Sequence, residues 1–207
     1  MNVFFVKFTY LKSYLLNVKK GIQLKCISKK EGVFMDKKRF SVIKGDITRM
    51  NTQAIVNAAN TSLLGGGGVD GAIHRTAGPE LLKECELLGG CKTGEAKITS
   101  GYKLKAEYVI HTPGPIWRGG DKGEYELLKN CYENSLKLAV ENEITSISFP
   151  SISTGVYRFP VEKAAEIAIK TIKEFMENDK TIEIINMVCF DEATYRAYKK
   201  VYDEIFV

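Results

Sequence analysis

The chain has 207 residues, 44% of them hydrophobic and 27% charged, the profile of one globular α/β domain. No apolar run exceeds four residues, far short of the roughly 20 that a membrane-spanning helix needs, and Gly and Pro are too sparse for a low-complexity chain. The formal charge of +5 is confined to one end: residues 1–34 carry seven lysines against Glu31, which leaves −1 for residues 35–207. A near-neutral body gives no reason to expect binding to nucleic acid or to a membrane.

Five cysteines (Cys26, Cys85, Cys91, Cys131, Cys189) form no CxxC pair, which suits free thiols in a reducing, cytoplasmic setting. His74 and His111 are the only histidines, and neither stands at ligand spacing from a second Cys or His, so no zinc or other metal is expected. No cofactor is expected either.

Residues 1–34 interrupt every apolar patch with Lys and lack the apolar centre of a signal peptide. They are read as a basic accessory extension, with an extra strand or helix packed on the domain as the alternative; the domain itself spans residues 35–207. From residue 39 strands and helices alternate. Arg39–Asp46 and Ala54–Asn57 read as strands. Residues 71–88 carry a helical pattern that Gly78-Pro79 breaks in two. Ala96–Thr99 and Glu107–Thr112 are β-rich, and Tyr125–Glu141 is helical. Ser146–Pro150 is a strand, Val161–Asn178 a helix, Ile182–Phe190 a strand and Glu192–Ile205 a closing helix. Strands separated by helices imply a sheet covered on both faces, a three-layer α/β/α sandwich.

Ligands of such sheets bind beyond the carboxyl ends of the strands, and the loops there hold the unusual residues. The strongest signal is Gly65-Gly66-Gly67-Gly68-Val69-Asp70-Gly71, which leads into a helix. Glycines free the backbone amides to approach an anion, and the helix N-terminus adds a positive dipole end. The run contains G-x-G-x-x-G, so a dinucleotide oxidoreductase is a competing reading. It is disfavoured because seven residues (Ala58–Leu64) separate the run from the strand, and the acid about 20 residues on, Glu86, falls in a helical stretch.

A second amide-rich loop, Ser151-Ile152-Ser153-Thr154-Gly155-Val156-Tyr157, follows the strand at 146–150. Two such loops suit a diphosphate gripped from both sides. Ser153 lacks the G-x-S-x-G elbow of a serine nucleophile. Acids beside phosphate loops repel the ligand and need a reason. Asp70 either serves the chemistry or caps the following helix; Asp46 either accepts a ligand hydrogen bond or forms a turn. Phe190 offers a face to a purine, although an isolated aromatic is more often core.

Taken together, Gly-Asp-Ile-Thr at 45–48, IVNAANTSLLGGGGVDGAIHRTAGP at 55–79, CKTGEAKIT at 91–99, VIHTPGP at 109–115 and FPSISTGVYRFP at 149–160 resemble the macrodomain family, in particular its MacroD-type branch. The resemblance covers about residues 39–206. It implies a mixed sheet of about six strands with ADP-ribose lying along its rim. It further implies that Asp46 and Ile47 meet the adenine end, that Phe190 faces the adenine ring, and that Gly66, Gly67, Gly68 and Val69 enclose the diphosphate with Ser153, Thr154, Gly155, Val156 and Tyr157. Asn60 would hold the distal ribose, and Asp70 would be the catalytic acid residue, with Asn60 beside it in the catalytic pair.

The activity implied is hydrolysis of esters of ADP-ribose, with mono-ADP-ribosylated proteins and O-acetyl-ADP-ribose as substrates. The leaving carboxylate is already stable as an anion, so a positioned water matters more than a strong general acid. Asp70, or the ligand's own phosphate, would activate that water. The alternative is a reader that binds ADP-ribose without turnover. A monomer is expected. One departure is Arg158, where relatives of this type often carry Gly; it puts the shape of the second loop in question.

Overall fold

The structure, a computed structural model, describes residues 39–206; the reading of residues 1–34 as an extension lies outside them. Strands β1 (Phe40–Lys44), β2 (Ala54–Ala59), β3 (Lys97–Ser100), β4 (Tyr108–Pro113), β5 (Ser146–Pro150) and β6 (Ile184–Cys189) form one sheet in the order β1-β6-β5-β2-β4-β3. All neighbours pair in parallel except β3, which runs antiparallel to β4. The carboxyl ends of the five parallel strands therefore meet at one rim. The mixed six-strand sandwich implied by the sequence is what forms.

Helices α1 (Gly68–Ala77), α2 (Pro79–Leu88), α3 (Glu124–Glu141), α4 (Val161–Asn178) and α5 (Glu192–Ile205) cover the sheet. Alternation along each strand sends neighbouring side chains to opposite faces. On β2, Ala54 and Val56 join the larger core with α3, α4 and α5, while Ile55 joins the smaller one with Ile73 and Ala77 of α1 and Leu81 and Cys85 of α2. On β4, Ile110 faces the larger core and Val109 the smaller. Among the described residues no helix is long and apolar enough to cross a membrane.

Several boundaries differ from the sequence reading, each for a local reason. β1 stops at Lys44 because Asp46 turns the chain: its side chain accepts from the Thr48 backbone N–H and so starts a 3-10 turn over Ile47–Arg49. β2 continues through Ala58 and Ala59, which pair with Thr112 and Pro113 of β4. The glycine run is not all loop: α1 begins at Gly68, which puts Asp70 inside its first turn. The N-cap is Gly67, without a side-chain cap, so capping does not explain Asp70. The break at Gly78-Pro79 is where the sequence placed it, with Gly78 at φ 91° and Pro79 opening α2.

Candidate active site

A cleft of about 230 Å³ opens at the rim beyond β2 and β5. Asn60 and residues 66–70 wall it on one side; Ser151, Ser153, Gly155, Val156 and Tyr157 wall it on the other, with Ala58, Ala59 and Gly114 at its base. The sequence reading thus brought together most of what the structure brings together. Four expected residues do not line this cleft. Asp46 and Ile47 follow β1, where Asp46 accepts from both the N–H and the hydroxyl of Thr48 and Ile47 is buried in the smaller core. Thr154 bonds back to Ser151. Phe190, at the end of β6, is 80% exposed, so it is not a core aromatic. β1 and β6 lie beyond β5 in the sheet, so Asp46 and Phe190 extend the same rim outward from the cleft.

Each wall is built by specific local chemistry. Asn60 folds the turn after β2: its carbonyl oxygen accepts from the N–H groups of Ser62 and Leu63, and its amide donates to Gly65 O at 2.7 Å. Leu63, fully buried despite a φ of 62°, anchors that turn in the smaller core. Gly71 lets the run close on itself, since a Cβ there would sit 2.4 Å from Gly66 O. On the far wall the Ser151 hydroxyl contacts Thr154 and donates to the buried Tyr198 hydroxyl of α5. Ser153 is held at φ 65°, a left-handed conformation, and its hydroxyl is buried with no partner inside the protein.

Sequence reasoning missed Gly114. A side chain there would collide with Ser153 Oγ at 2.1 Å; the Pro113-Gly114-Pro115 punctuation after β4 was the available signal. Arg158 sits at φ 55° in the tight turn closed by its N–H on Gly155 O. It is exposed and does not line the cleft.

Asp70 is 4% exposed. Its Oδ1 accepts from Asn57 Nδ2 at 2.7 Å and lies 3.4 Å from His74 Nε2, one helical turn on. Burial raises the Asp70 pKa above its ordinary value, opposed by the Asn57 hydrogen bond and the His74 charge. A carboxylate so raised is a stronger base than one in water.

Behind Asp70 the fold assembles a group that local spacing does not reveal. The ligating atoms of His74, Cys85 and His111 lie within 4.8 Å of one another, although neither histidine stands at ligand spacing from a second Cys or His along the sequence. α2 carries Cys85 onto the face of β4 that bears His111, a contact between distant parts of the chain. Both ring nitrogens of His111 are engaged, by Asn57 and by Thr99. Burial, aided by the His74 charge, pushes the His111 pKa down to about 3. Burial, then the charges of Asp70 and Glu84, pushes the Cys85 thiol up to about 11. A metal there would have to displace the hydrogen bonds His111 already makes.

A larger groove of about 970 Å³ runs between α4 and α5. It is lined by interleaved Lys, Arg and Glu side chains and lies on helices, away from the strand ends.

A parallel rim carrying an amide-rich cleft with one buried carboxylate defines a macrodomain, and residues 56–168 match the Macro domain family. The chain belongs to that family. It is 61% identical over 158 residues to the Macro domain-containing protein CT2219 of Chlorobaculum tepidum, covering 76% of this chain and 92% of that protein. It is 52% identical to O-acetyl-ADP-ribose deacetylase 1 of Pantoea vagans, covering 79% of this chain and 98% of the relative. It is 56% identical to the ADP-ribose glycohydrolase MACROD2 of Mus musculus, covering 81% of this chain but 36% of that longer protein. Among solved structures, a variant of the Oceanobacillus iheyensis macrodomain with ADPR superposes with a TM-score of 0.77 at 46% identity, covering 81% of this chain and 94% of the other.

Proposed function

We propose that this chain is a hydrolase of ADP-ribose esters, removing ADP-ribose from acidic side chains of proteins and deacetylating O-acetyl-ADP-ribose. The observation that carries the reading is the buried Asp70 carboxylate, held by Asn57 in a cleft where it is the one acidic residue among the lining side chains. The names of the Pantoea and mouse relatives support the activity, and the ADPR-bound Oceanobacillus structure supports the ligand.

The diphosphate lies between residues 66–69 and 153–157, whose amides and the α1 N-terminus neutralise it. The unpartnered Ser153 hydroxyl donates to a phosphate oxygen. Asn60 and Asp70 flank the distal ribose, while Asp46, Ile47 and Phe190 receive the adenine end further along the rim. Asp70 orients a water and takes its proton. For a carboxylate linked at the anomeric carbon, water attacks that carbon and the side-chain carboxylate leaves as an anion. For an acetyl ester elsewhere on the ribose, water attacks the carbonyl carbon, acetate forms and the ribose oxygen takes up a proton. Base catalysis with positioning supplies on the order of 10²–10⁴-fold. A pure reader has no use for an acid beside its phosphates, which favours turnover.

The test is release of free ADP-ribose from a mono-ADP-ribosylated protein by wild type and Asp70→Ala, with binding of ADP-ribose followed by calorimetry. Release by wild type alone, with binding by both, is the expected result. Binding by both without release by either would make the chain a reader.

A further inference from the structure

Two residues in the centre of the sheet make no contact with the cleft yet meet the proposed catalytic acid through an unbroken line of hydrogen bonds. Asn57 of β2 and His111 of β4 are register partners on the sheet face covered by α1 and α2. Both are fully buried. Asn57 Nδ2 donates to Asp70 Oδ1 at 2.7 Å and lies 3.2 Å from His111 Nδ1. His111 Nε2 lies 2.8 Å from Thr99 Oγ1 on β3, which is itself 3.5 Å from Val109 O.

The roles along this line are forced. An Asn amide has two hydrogens on nitrogen and none on oxygen. If Nδ2 faces Asp70, its second hydrogen points at His111 Nδ1, which must accept, so the ring hydrogen sits on Nε2 and is donated to Thr99. The Thr99 hydroxyl hydrogen is then free for Val109 O. The reverse orientation would aim Asn57 Oδ1 at the Asp70 carboxylate, acceptor against acceptor. Asn57 Oδ1 has no partner in the protein, so nothing bonded to that oxygen holds the amide as it stands. What holds it is the pair of acceptors on either side of Nδ2, the Asp70 carboxylate and His111 Nδ1.

We infer that His111 is a positioning residue: as a neutral Nε2–H imidazole it fixes the Asn57 amide so that it always presents a donor to Asp70. The depressed pKa of His111 agrees with this, because a protonated ring would have no acceptor to offer. The titratable groups facing Asp70 are His74 on its own helix, Cys85 on α2 and His111 on β4. His74 and Cys85 are unchanged in the variants below, so a difference between them reports on the His111 line. The inference deepens the proposed reaction and rests on Asp70 serving it.

Two substitutions separate positioning from mere packing. In His111→Asn the side-chain oxygen replaces the Nδ1 acceptor. In His111→Gln the polar end reaches the Nε2 position and Thr99, but the acceptor facing Asn57 is lost. We expect His111→Asn to keep kcat within about threefold of wild type. His111→Gln should lose about 10–100-fold in kcat, the scale that loss of a hydrogen-bonded support costs at metal centres, with KM within about twofold because no ligand contact changes. The acid limb of its kcat–pH profile should move to higher pH, since Asp70 loses the bond that favours its ionised form.

The Asp70 pKa, read by carboxyl 13C titration, should rise in His111→Gln and stay in His111→Asn. This readout needs no turnover, so it stands even if the wild-type protein proves to be a reader. In the unmodified protein, 15N spectra should show His111 as the neutral Nε2–H tautomer from about pH 5 to 8; this serves if a variant fails to fold. Equal Asp70 pKa values in the two variants, or an Nδ1–H tautomer in the wild type, would overturn the inference.

Discussion

Gly71→Ala places two effects in direct opposition within α1. Gly71 is the fourth residue of that helix, and Ala in a helix interior is worth about 1 kcal/mol over Gly on propensity alone. Against this, the new Cβ would lie 2.4 Å from Gly66 O and 3.0 Å from Arg75 Nη1. Arg75 can swing away, but Gly66 O is backbone, and ordinary contact begins at 3.4 Å, so the glycine run must retreat by about 1 Å. Overpacking of this kind costs about 1–3 kcal/mol, so the clash equals or exceeds the gain and the net loss reaches about 2 kcal/mol.

At about 2–4 °C per kcal/mol for a domain of this size, Tm falls by up to about 8 °C. The larger effect is on turnover. Gly66 packs against the Asp70 carboxylate and the Asn60 amide, so a 1 Å retreat disturbs both, and misplacement on that scale costs about 10²-fold. Thermal unfolding and the ADP-ribose release assay read the two effects. Gly67→Ala is the stability control: its φ is −95° and its Cβ meets nothing within 4 Å, so Tm should change little. A Gly71→Ala protein more stable than wild type, with unaltered turnover, would show that helix propensity governs this position and refute the packing argument.

Ile73→Ala empties a fully buried position between α1 and β2 and should cost about 2–5 kcal/mol in urea unfolding. Tyr198→Phe removes the hydroxyl that accepts from Ser151; a loss of about 0.5–1.5 kcal/mol, with weaker ADP-ribose binding by calorimetry, is expected from a loosened far wall. Glu124 caps the loop before α3 by accepting backbone N–H bonds from Arg118, Gly120 and Lys122. Burial alone would raise its pKa, but the bond from its own backbone N–H together with these three outweighs it and the value is lowered. The stability this carboxylate contributes is therefore present above its unfolded-state pKa and lost as pH falls through the lowered folded value. Glu124→Gln should be less stable than wild type at neutral pH, and the gap should close on acidification in parallel unfolding curves.

The sequence displayed the elements whose ends carry punctuation. Gly78-Pro79 divides α1 from α2, Pro160 precedes α4, and Asp191 caps α5 through Thr194, so those boundaries fell where they were read. It displayed the two walls of the cleft because glycine and small hydroxylic residues at strand ends have few other uses. It hid what depends on register. That Asn57 stands beside His111 follows from β2 pairing with β4, a contact across 54 positions, and no local period encodes it. Cys85 and His111 meet only because α2 folds back over β4, and spacing rules for metal ligands are blind to that. Asp70 was legible as a residue needing a reason, but not as a member of the first turn of α1, because Gly67 and Gly68 do not look like helix.

The account turns on where the pyrophosphate sits. A crystal structure of the chain with ADP-ribose should place it between residues 66–69 and 153–157, with the distal ribose against Asn60 and Asp70 and the adenine toward Asp46 and Phe190. A ligand bound in the groove between α4 and α5, or a distal ribose turned away from Asp70, would contradict it.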